Sequence, residues 1–187
     1  MEVTARASLI DLFFLILFLR VAYISVAKGL LVEAFKIAGL LVSSFFAFHY
    51  YPYFADKVVG KIPLLSKEYL QFVSFCSIFL ATGVIFIFLR LIAIFLVRRE
   101  DVPLIERRLA FFAGIFRAAF LSSMIFFILY LFPFKLQPQN PGISYRMLKN
   151  FGPKAYLIAL DFYNKKINKN VILNKEVEKY YEAEKHL

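Results

Sequence analysis

The chain has 187 residues, 61% of them hydrophobic, with 24 Phe and no Trp, a mean hydropathy of +0.68 and a formal net charge of +10. Soluble domains are about 45–50% apolar, so this excess excludes an ordinary soluble core and asks for lipid as solvent. The basic residues sit between and beside apolar runs, so anionic lipid headgroups are their expected counterpart and nucleic acid is not.

Four runs reach the roughly 20 residues needed to span a bilayer: about 9–27, 30–48, 69–97 and 109–132. The expected fold is an all-α, polytopic membrane protein, with a four-helix membrane domain over 1–134 and a basic tail over 135–187, helical or partly disordered. The first run also has features of a signal peptide, with Arg6 ahead of it and Ser25-Val26-Ala27 near its end. Arg20, inside the apolar stretch, argues against that reading. Only Lys28 and Gly29 separate the first two runs, which predicts a tight helical hairpin with Gly29 as its cap. The second run ends in His49-Tyr50-Tyr51-Pro52-Tyr53-Phe54, an aromatic belt expected to be closed by proline.

A polar loop over 55–68 follows, with Lys57, Lys61, Pro63 and Lys67. The third run is long enough to tilt. It carries Ser74, Ser77, Ala81 and Gly83, and the lone Cys76, so no disulfide framework exists within one chain. Arg98, Arg99, Glu100, Asp101 and Pro103 make an exposed loop into the fourth run, whose first residues are Glu106, Arg107 and Arg108. In that run small residues recur every fourth position: Ala110, Gly114, Ala118 and Ser122. The second run has the same ladder in Gly39, Ser43 and Ala47. On a helix such spacing forms a shallow stripe along which backbones approach closely. Beyond the breaker cluster Pro133, Pro138, Asn140, Pro141 and Gly142, two short amphipathic helices are expected, at 143–151 and from 154 to about 163. The last residues, from about 174, read as an exposed helix or disorder.

Ionisable residues within spans default to function. This chain has Asp11, Arg20, Glu33, Lys36, Arg90 and Arg117. Counting from the helix ends at 1.5 Å per residue, all but Asp11 fall in one layer roughly 5–15 Å from the membrane face that carries the first and third loops. Long cations can snorkel to headgroups; the alternative is a polar vestibule biased towards anions. A carboxylate cannot snorkel far, so Glu33 needs a cation. Arg20 is the first candidate, and helix rotation leaves Arg117 and Arg90 open. Nine basic residues on that face against five opposite, leaving out the nine of the tail because long segments count little, favour the first and third loops in the cytoplasm.

With these motifs together, the chain resembles the colicin V production protein (CvpA) family of bacterial inner-membrane proteins over about 10–134. Asp11 opens the first span as the family's aspartate does. Lys28, Gly29 and Glu33 match its basic-Gly hairpin with Glu four residues on. The family's Asp-Arg-x-Leu-Gly-x-x-x-Gly-x-x-Arg-Gly corresponds to Glu106, Arg107, Leu109, Ala110, Gly114, Arg117 and Ala118, with Glu for Asp and Ala for two glycines. The resemblance implies a multi-pass inner-membrane protein that supports toxin production, secretion or envelope homeostasis; no cofactor is expected. Three functions follow as expectations. One is a non-enzymatic protein for secretion, envelope upkeep or small-solute transport, which as four short helices would need a homo-oligomer. Another is a scaffold that recruits membrane partner proteins through helix faces and tail. A membrane-embedded enzyme is disfavoured: the chain has no H-E-x-x-H, G-x-S-x-G, P-loop or cysteine pair. His49 and His186 read as interfacial and tail residues rather than metal ligands.

Overall fold

The computed structural model describes residues 9–59, 66–96, 103–132, 142–166 and 175–185. These form seven helices and no strand: α1 Leu9–Lys28, α2 Leu30–Val59, α3 Lys67–Leu96, α4 Leu104–Leu131, α5 Ile143–Leu148, α6 Phe151–Lys166 and α7 Lys175–Lys185. The protein is all-α. Helices α2, α3 and α4 are long and apolar enough to cross a membrane. Helix α1 forms where the first span was expected; its 20 residues, about 30 Å of helix, include Asp11, Arg20 and Lys28.

The pairing of helices differs from chain order. Helix α2 packs chiefly along α3, and α1 chiefly along α4, while α1 and α2 touch little. The expected hairpin of α1 and α2 side by side is therefore corrected. Gly29, with φ 81°, does break the helix between them, in the left-handed region that glycine enters without penalty. The turn then sends α2 away from α1 instead of back along it. Small residues explain the choice of partners. On α2, a Cβ at Gly39 would lie 2.7 Å from Phe86 Cβ of α3, and Ser43 faces Gly83. On α4, a Cβ at Gly114 would lie 2.7 Å from Ser25 Cβ and 3.4 Å from Ala22 Cα of α1. Ala110, Ala118 and Ser122 of the same stripe are buried. Ser25 and Ser122 serve as small residues because their hydroxyls are satisfied locally: Ser25 Oγ donates to Val21 O at 2.7 Å, and Ser122 Oγ to Ala118 O at 2.8 Å.

Two further expectations need correction. Helix α2 does not end at the aromatic belt; it runs through Pro52 to Val59. A proline inside a helix loses one backbone hydrogen bond at a cost of about 3 kcal/mol, but Phe48, Tyr51 and Ala55 are buried on either side of it, with Tyr51 packed on Phe75 and Phe127. That burial outweighs the break. Helix α4 starts at Leu104 after Pro103 and so takes in Glu106, Arg107 and Arg108 ahead of its apolar run, as expected. Lastly, α7 is not an exposed terminus, since Val177 and Tyr180 are buried.

One core joins the span helices to the tail. Phe48 meets Phe75 and Phe127 edge-on, with ring centroids 5.5 and 4.7 Å apart, and Tyr156, Leu160, Val177 and Tyr180 belong to the same cluster. Lys61, Pro63, Arg98, Arg99, Glu100, Asp101, the breaker residues 133–141 and His186 lie outside the described residues.

Candidate functional site

Glu33 sits on the first turn of α2, four residues past the Gly29 break, and is 0% exposed. Lys36 lies one turn further along the same face, which places its Nζ 2.8 Å from Glu33 Oε2. Arg117 reaches the other oxygen from α4, its Nε 2.6 Å from Glu33 Oε1. That approach pairs the charges without an aligned N–H···O hydrogen bond. Arg20 is exposed and takes no part, so the expected Arg20–Glu33 pair is corrected. Depth alone put Arg20 at the right height, but α1 lies along α4, and the α4 cation is the one turned towards α2. Arg90 of α3 completes the layer. It is half-buried, close enough to Arg117 for the two cations to repel, and its buried Nε has no hydrogen-bond partner. Lys36 and Arg90 line opposite walls of a cavity of about 140 Å³ between α2 and α3.

Four of the five residues expected in the layer therefore come together: Glu33, Lys36, Arg90 and Arg117. Three are cations and one is a carboxylate. Burying such a set costs several kcal/mol per ion before mutual attraction is counted, so the cluster is a large electrostatic feature of the bundle. Asp11 lies elsewhere. Its Oδ1 accepts a hydrogen bond from Ser144 N at 2.8 Å and its Oδ2 one from Ile143 N at 3.3 Å. It thus caps α5 and ties the start of α1 to the tail.

A family model described as Colicin V production protein matches residues 10–153. The chain belongs to the colicin V production protein family. The match runs past the expected end near 134 and takes in α5 and the start of α6. No curated protein and no solved structure matches the chain. Within this colicin V production family member, the motif residues have distinct placements. Glu33 and Arg117 face each other, Gly29 makes the break, and Gly114 lies against Ser25. Lys28 and Arg107 are exposed, and Glu106 is half-buried.

Two links escaped sequence reasoning. Ser123 Oγ accepts from Gly152 N at 2.7 Å and donates to Lys149 O at 3.1 Å, anchoring the α5–α6 junction on α4. Its signal was the Ser122-Ser123 pair in an apolar run. His49 Nδ1 and Tyr156 OH are 3.1 Å apart, joining α2 to α6. Among the described residues no cluster of His, Cys, Asp and Glu is arranged to hold a metal.

Proposed function

We propose that the protein is a non-enzymatic component of the bacterial inner membrane that supports toxin production and secretion of the colicin V type, or envelope homeostasis, through its buried charge layer. The observation that carries this reading is Glu33, fully enclosed and held by Lys36 and Arg117, beside a third cation, Arg90. Well-packed apolar residues would fill such a space with equal or greater stability, so retained charges in a span point to use rather than to fastening. In a small-solute transport version of this reading, an excess of cations favours anions and more than one copy builds the path. Cells lacking their own copy provide the test, with toxin release and growth under envelope stress as readouts. The wild type is expected to restore both, and Glu33→Gln at equal membrane abundance to fail. Full restoration by Glu33→Gln would reduce the cluster to a structural fastener. Chloride efflux from liposomes holding the purified protein separates transport from the other roles.

The alternative is a scaffold, favoured by the outer face of α6. Ile158 and Phe162 lie one turn apart and are exposed beside a cleft of about 530 Å³ that Leu41, Phe45 and Phe120 also line. A photocrosslinker at Phe162 that captures one and the same membrane protein in repeated trials would support it.

A further inference from the structure

We propose that the cleft between α2 and α3 at Lys36 and Arg90 holds the phosphate of an anionic lipid that enters sideways from the bilayer. The inference rests on the chain's place in a membrane, not on its role in toxin production or envelope upkeep.

Charge is the first ground. Glu33 is already shared by Arg117 and Lys36, which leaves Arg90 with no anionic partner among the described residues. A half-buried cation without a counterion carries a desolvation cost, and a phosphodiester would supply both the charge and the acceptor oxygens that the buried Nε lacks. Size is the second. A cavity of about 140 Å³ compares with ~30 Å³ per water, so it has room for a phosphate with its ester oxygens. The walls Phe35, Phe86 and Ile87 are apolar, which leaves Lys36 and Arg90 to fix the anion. Position is the third. Leu89, Leu91 and Ile92, the apolar neighbours of Arg90 around α3, are exposed, so a lipid chain can lie against the helix beside it. Arg90 is six residues from the end of α3, about 9 Å along the axis, within reach of headgroup level for a long side chain. Basic pockets between membrane helices are suited to anionic headgroups. Inorganic phosphate shares the chemistry but would not need the apolar face.

The experiment is thermal unfolding of the purified chain in neutral detergent, with phosphatidylglycerol, phosphatidylcholine or inorganic phosphate added. Phosphatidylglycerol is expected to raise the Tm and phosphatidylcholine to leave it unchanged. In Arg90→Gln the apparent affinity for phosphatidylglycerol falls about tenfold or more, as for loss of a charge-assisted hydrogen bond, and Arg90→Lys keeps most of it. Lys36→Gln, which leaves Glu33 its Arg117 partner, provides a second variant with the same expected loss. Equal responses to the two lipids, or a phosphatidylglycerol response unchanged in both neutral variants, would overturn the proposal. An equal Tm rise with inorganic phosphate alone would overturn the lipid assignment in favour of a free-anion site.

Discussion

Removing Arg117 should reveal what the Glu33 cluster contributes. Arg117 Nε lies 2.6 Å from Glu33 Oε1. With charge centres about 4 Å apart, the attraction is about 4 kcal/mol at an effective dielectric constant of 20. In Arg117→Met the carboxylate keeps Lys36 at 2.8 Å, but a buried pair is broken from one side. The expected loss lies near the lower end of the roughly 3–5 kcal/mol typical of such breaks. Glu33→Gln should also destabilise, because it leaves Arg117, Lys36 and Arg90 facing one another without an anion. The double variant Glu33→Gln, Arg117→Met should cost less than the two singles together, with a coupling of about 1–3 kcal/mol. Reversible unfolding of the purified chain in mixed micelles measures all four corners. Arg20→Met, exposed on α1, should leave stability unchanged. Additive effects of Glu33 and Arg117, or a loss on Arg20→Met equal to that on Arg117→Met, would refute the reasoning.

Three other outcomes are expected. Gly114→Leu should separate α1 from α4, since even a Cβ there meets Ser25 Cβ at 2.7 Å; the loss is of order 1–3 kcal/mol or more, read by unfolding, and a variant as stable as the parent would show that the two helices do not pack there. Ser123→Ala deprives Gly152 N of its acceptor, a cost of about 1–3 kcal/mol that should appear as faster proteolysis of the tail, with unchanged cleavage counting against the anchor. With Cys76 replaced, a membrane-impermeant thiol reagent added outside cells should label a cysteine at Gly60 and spare one at Asp101; the reverse pattern would invert the topology expected from the basic-residue count.

The helices were legible because apolar runs of span length have few other uses, and the break at Gly29 because a basic-Gly pair between two such runs leaves room for little else. What the sequence hid was side-to-side arrangement. The depth of Glu33 and Arg20 follows from counting along helices, but rotation about the axis and choice of neighbour do not, and α1 turned out to lie along α4. The continuation of α2 through Pro52 was hidden for a similar reason. Local proline chemistry argues for a stop, and only the burial of Tyr51 and Ala55 against residues from other helices reverses it. The contact of Asp11 with α5 spans more than a hundred residues, with no local pattern to announce it.

The nesting of the helix pairs, α2 with α3 inside α1 with α4, sets an order of birth. Helix α1 leaves the ribosome first, and its partner α4 is complete only after about a hundred more residues, some 5–20 s at the usual rates of synthesis. During that interval α1 must wait in lipid, or at the insertion machinery, with the small face Ala22 and Ser25 still uncovered. Glu33 waits too, because Arg117 is on the last span. Lys36, one turn away on the same helix, is the cation at hand from the moment α2 forms, and so acts as an escort for the carboxylate until the permanent partner arrives. Chains stalled after α3 should therefore depend on Lys36 for membrane insertion far more than finished chains do, and equal dependence would remove the escort role.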